Sequence, residues 1–63
     1  MAATRREGVI FERVEVGAYA KLSAIDTATG VEVSVVGPRR ASDADLRRLA
    51  LNKLKRALDR DVT

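Results

Sequence analysis

SDADLRRLALNKLKRALDR, residues 42–60, carries the clearest periodic pattern in the chain. Leu46, Leu49, Ala50, Leu54, Ala57 and Leu58 recur at spacings of three and four. That spacing puts them on one stripe of an α-helix. Ser42 is an N-cap residue, and Asp45 three positions later imitates a capping box with a shorter acid. Asp43 and Asp45 lie where the helix dipole favours negative charge, and Lys53, Lys55, Arg56 and Arg60 lie toward the end that favours cations. No proline or glycine interrupts the run. The pattern predicts one helix over about residues 43–60. Arg48, Asn52, Lys55, Arg56 and Asp59 fall opposite the stripe, as a solvated face or as a phosphate-contacting one. Leu51 falls at the edge of the stripe, on the way to solvent.

Working outward, the chain before this helix reads as strands. Residues 9–16, VIFERVEV, are rich in β-branched side chains. Gly17-Ala18 makes a tight turn, and residues 19–25 form a second strand. Asp26-Thr27-Ala28-Thr29-Gly30 is a turn with aspartate first and glycine at the left-handed position. Residues 31–36 form a third strand, which Gly37-Pro38 ends because proline donates no ladder hydrogen bond. With residues 27–30 as the loop, Asp26 faces Val31, Ala24 pairs with Val33 and Leu22 with Val35. Ile25 then faces Glu32, Ser23 faces Ser34 and Lys21 faces Val36. The apolar members of both strands share one face, as half-buried strands require.

The first hairpin has two readings. A two-residue turn at Gly17-Ala18 puts Val9 and Phe11 on the face of Leu22, and Ile10, Val14 and Val16 on the other face with Tyr19 and Ile25. A three-residue turn exchanges the two sets, since a one-residue slip flips every side chain. In both cases one helix cannot cover two faces, and apolar side chains remain on the uncovered one. The candidate contact face is therefore Ile10, Val14, Val16, Tyr19, Ile25 and Val36. An apolar patch of that kind on a small protein marks a contact surface.

The expected architecture is α+β: a three-stranded antiparallel β-meander (about 8–16, 19–26 and 31–36) packed on one C-terminal α-helix. Residues 8–60 form a single domain, residues 1–7 a flexible basic tail and residues 61–63 a frayed end. A 63-residue chain buries only about 60% of the surface its unfolded form exposes. Its core supplies a net stability of no more than about 3–5 kcal/mol. Small chains are usually reinforced by disulfides, metals or partner subunits, and this one has neither cysteine nor histidine. Disulfides and zinc sites of the usual kind are excluded, which leaves a homodimer or another protein partner as the reinforcement.

The same absences remove the commonest general base and the thiol nucleophile. Lys21, Ser23 and Ser34 are a weak Ser–Lys constellation without a pocket. The acids are scattered, and 26–30 lacks the repeated oxygen ligands of a calcium loop. No glycine-rich phosphate loop is present. The reading is of a protein without catalytic residues, cofactor or metal. No secretory leader pattern and no apolar run of bilayer length appear, so the expected setting is cytoplasmic, away from membranes.

Twelve basic residues against nine acidic ones give a net charge of +3. That permits nucleic acid as a partner, through Arg39, Arg40, Arg48, Lys55 and Arg56. Arg39 and Arg40 precede a helix N-terminus, which attracts anions, but Asp43 and Asp45 already neutralise that end. Phe11 and Tyr19 are the only aromatics available for stacking on bases.

VGAYAKLSAID at 16–26, ATG at 28–30 and EVSVVGP at 32–38 resemble a family of very short alphaproteobacterial proteins grouped as a domain of unknown function. The likeness runs from about residue 8 to about residue 58. It implies a bacterial, cytoplasmic protein with the strand–turn–strand order above, and it assigns no activity.

Overall fold

The structure, a computed structural model, describes residues 2–6 and 8–61, with side chains over 8–60. Four strands lead into one helix: β1 (Ala2–Arg6), β2 (Val9–Val16), β3 (Tyr19–Asp26), β4 (Glu32–Pro38) and α1 (Asp43–Asp61). The strands form one antiparallel sheet in the order β1-β2-β3-β4. This is the expected α+β meander on a C-terminal helix, with one strand more than expected. Residues 2–6, read from sequence as part of a flexible tail, pair with β2, Ala2 opposite Arg13 and Arg6 opposite Val9. Their sequence, AATRR, carries no apolar alternation to announce a strand. The frayed end expected at 61–63 begins no earlier than Asp61, the last helical residue; 62 and 63 lie outside the described residues.

The turn at Gly17-Ala18 has two residues, since Val16 lies opposite Tyr19. Gly17 has a φ of 59°, a value costly for any residue with a Cβ. The register therefore sends Val9, Phe11, Arg13 and Glu15 to the helix side of the sheet. The second hairpin has the register read from sequence: Ala24–Val33, Leu22–Val35, Ser23–Ser34 and Lys21–Val36. Its loop is held by the Asp26 carboxylate, which accepts from the Thr29 amide (3.0 Å) and hydroxyl (2.7 Å). Gly30 follows at φ 78°. Thr27 ties the loop to the foot of β2 by donating its amide (2.7 Å) and hydroxyl (2.9 Å) to the Gly8 carbonyl.

β4 runs on through Gly37 to Pro38 rather than stopping at Val36. Proline is tolerated there because its nitrogen points away from β3, off the edge of the sheet. Gly37 has a packing role. A Cβ built on it would lie 3.0 Å from Leu46 Cδ2, a side chain that is itself buried. Together with Ala20 opposite it and Ala50 on the helix, Gly37 lets α1 approach the sheet closely. Gly37→Ala is expected to lower stability by about 1 kcal/mol through overpacking, read as a lower urea midpoint at unchanged m-value.

The core is Phe11, Ala20, Leu22, Ala24, Leu46, Ala50 and Leu54, with Val9, Val33, Val35, Leu51 and Leu58 packed around it. Ser42 caps the helix, its Oγ accepting the Asp45 amide at 3.1 Å. The buried stripe of α1 is Leu46, Ala50 and Leu54, rotated from the stripe read in the sequence. Leu49, expected in the stripe, is 52% exposed, and Leu51, expected at its edge, is half-buried. Phe11 fills the β2 side of the core, and the Arg47 guanidinium lies 5.4 Å from its ring centroid. The Arg47–Leu51 flank of the helix is thus the more sheltered one, and the Leu49 flank lies out beside β4.

Candidate protein-contact face

Period-two alternation along three strands decides which side chains share the face that α1 does not cover. In register they form four rows across β2, β3 and β4: Val16–Tyr19–Pro38, Val14–Lys21–Val36, Glu12–Ser23–Ser34 and Ile10–Ile25–Glu32. All six residues expected on this face are on it. They are not one continuous patch. The Glu12–Ser23–Ser34 row crosses the middle, and there Ser23 is buried with its Oγ 3.1 Å from the Ser34 Oγ. Ile10 and Ile25 pair at one end and are half-buried. At the other end, around the β2–β3 turn, Val16 is 68% exposed, Tyr19 62% and Val36 66%. Val14 stands among them and Pro38 extends the row. The exposed apolar surface is thus gathered at the turn end of the open face.

The basic residues are dispersed. Arg39 turns back onto the sheet, donating to the Gly17 carbonyl (3.2 Å) and to Glu15 Oε1 (3.4 Å). Arg40 is exposed in the β4–α1 connection. Arg48 pairs with Asp45 at 3.4 Å, both well exposed, an arrangement that contributes little to stability. Lys55 and Arg56 are exposed along α1. The five candidate anion contacts therefore do not converge on one point.

Arg13 is a structural clasp. A charged residue in a strand ordinarily stands in solvent, but the Arg13 side chain is only 16% exposed, on the helix side of the sheet. It donates to the Arg39 carbonyl (2.7 Å), the Ala41 carbonyl (3.1 Å), Asp43 Oδ1 (2.6 Å) and Glu15 Oε2 (3.3 Å). One guanidinium fork thus fastens the β4–α1 connection and the first turn of α1 to β2. The available signal was parity: with a two-residue turn, Arg13 and Glu15 share a face with Phe11.

The domain of unknown function DUF6898 matches residues 6–61. The chain belongs to that family. The matched residues take in β2, β3, β4 and α1 of this chain. No match was found among the curated proteins or among the solved structures. Among the described residues no helix is long and apolar enough to cross a membrane.

Proposed function

We propose that this DUF6898 chain is a small non-enzymatic interaction module that docks a protein surface, its own copy or another protein, on the turn end of its open sheet face. The observation that carries the reading is the clustering of Val16, Tyr19 and Val36, all more than three-fifths exposed, on the sheet face that α1 does not cover. Isolated exposed aliphatics need no explanation, but a contiguous group around a tyrosine is the composition of an interface centre. A stable interface takes about 800 Å² from each partner, and the chain exposes 4563 Å². A bacterial, cytoplasmic setting is part of the proposal, supported by the cysteine-free sequence.

The test is a Val16→Ser, Tyr19→Ser double variant. Both positions are exposed, so the fold is expected to keep its stability within about 1 kcal/mol. Native mass spectrometry of the tagged protein, alone and after capture from its own lysate, is expected to show a defined dimer or hetero-complex that the variant loses. A variant that associates as the wild type does would overturn the reading, as would a wild type that stays monomeric and captures nothing.

A second reading, nucleic-acid binding by Arg40, Arg48, Lys55 and Arg56, is supported by their exposure. It predicts a mobility shift that weakens steeply with salt. No shift at low salt would remove it.

A further inference from the structure

We propose that the free edge of β4 is a second docking site, which takes an extended acidic segment of a partner protein as an added strand. This goes beyond the open face: the two surfaces share Val36, but the strand edge and the cations that define this site lie outside the Val16–Tyr19 patch. Asp26 donates to the Val31 carbonyl (2.8 Å) and Arg39 to the Ala18 carbonyl (2.9 Å). These two bonds fix the parity of β4: Val31, Val33, Val35, Gly37 and Arg39 turn their backbone groups toward β3. Glu32, Ser34 and Val36 accordingly point theirs away, and β4 is the last strand of the sheet. Three consecutive outward residues are enough to hold a short added strand.

The edge has a wall. The Leu49 flank of α1 overhangs β4, and Ser34, Val35, Val36, Leu49, Lys53 and Arg56 line a groove of about 600 Å³. Its apolar surfaces are Val36 on the open side and Leu49 on the helix side, both more than half exposed. Its charges are Lys53 and Arg56, with no acid in the lining. Lys53 donates its ammonium to the Ser34 carbonyl at 2.8 Å. It therefore caps the middle of the edge with a cation, the device by which sheets discourage indiscriminate pairing.

That cap selects the occupant. In a twofold, antiparallel pairing with a second copy centred on Ser34, the two Lys53 ammonium groups would meet at the axis, and like charges would oppose the contact. A strand with carboxylates on the side facing α1 has the opposite effect. Its backbone N–H replaces the ammonium at the Ser34 carbonyl, and Lys53 swings to the carboxylate with Arg56 beside it. Because side chains alternate, the same strand presents apolar residues next to Val36 on the open side. The recognised pattern is an alternation of acidic and β-branched residues.

The probe is a capped eight-residue peptide alternating valine and glutamate, added to the isotopically labelled full chain. The amide signals of Glu32, Ser34 and Val36 are expected to move, with saturation in the millimolar range or below. A valine–lysine peptide is expected to bind at least tenfold more weakly, and so is a valine–glutamate peptide N-methylated at alternate backbone nitrogens. A Lys53→Glu, Arg56→Glu variant, altered only at exposed positions, is expected to lose the acidic peptide while its spectrum shows the fold intact. The proposal is overturned if the lysine peptide binds equally, if the variant binds unchanged, or if shifts appear only on the Arg48–Lys55 face or not at all. The Val16→Ser, Tyr19→Ser variant retains this site, so loss of either surface is read separately.

Discussion

Phe11→Ala is expected to leave most of the chain unfolded at 25 °C. Phe11 is one of the two largest fully buried side chains, and it bridges β2 to the underside of α1. Truncating a buried phenylalanine costs about 3–5 kcal/mol, because the transfer energy is lost and a cavity remains. A domain of this size holds no more than about that much net stability. The Arg47 stacking contact disappears with the ring as well. Far-ultraviolet circular dichroism should show loss of the helix signal without denaturant. A variant that melts cooperatively within about 5 °C of the wild type would show that Phe11 is not the keystone of the core.

Arg13→Ala is expected to cost about 2–3 kcal/mol, the scale of charge-assisted hydrogen bonds removed from a largely sheltered site. The Arg39 and Ala41 carbonyls lose the fork that joins them, and Glu15 and Asp43 lose a common counter-charge. The effect is local before it is global. The β4–α1 connection is released first, so amide exchange should quicken over residues 39–46 more than in β3. Arg13→Lys is expected to recover only part of the loss, since an ammonium cannot span two carbonyls and two carboxylates as a planar fork does. Uniform destabilisation without preferential exchange at 39–46 would argue against the clasp.

These two residues also mark how far the sequence could be read. Phe11 was assignable to the core only on one of two turn lengths, and nothing in VEVGAYAK chooses between them by hydrophobicity alone: either choice leaves apolar residues on both faces. The backbone of Gly17 makes the choice. Arg13 could not be singled out from the sequence, because a charged residue is ordinarily assigned to solvent and its Arg39, Ala41 and Asp43 partners lie far along the chain, invisible to any periodicity. The β3–β4 register was legible because the Asp26–Gly30 turn and the alternation of Leu22, Ala24, Val33 and Val35 agree. The helix was legible in extent, but its rotation was not. Leu49 and Leu51 flank Ala50 symmetrically on a wheel, so only the packing against the sheet separates them. The candidate contact face followed from arithmetic of faces, while its division by the Ser23–Ser34 pair required the register.

The central claim is that the turn end of the open face is covered by another protein in the cell. It is tested most directly by placing a photo-crosslinking phenylalanine analogue at position 19 and, in a parallel protein, at the exposed helix position 55. Irradiation of living cells is expected to give a discrete adduct from position 19, whose mass distinguishes a second copy from another protein, and none of that mass from position 55. The absence of any adduct at position 19, or identical adducts from both positions, would contradict the account.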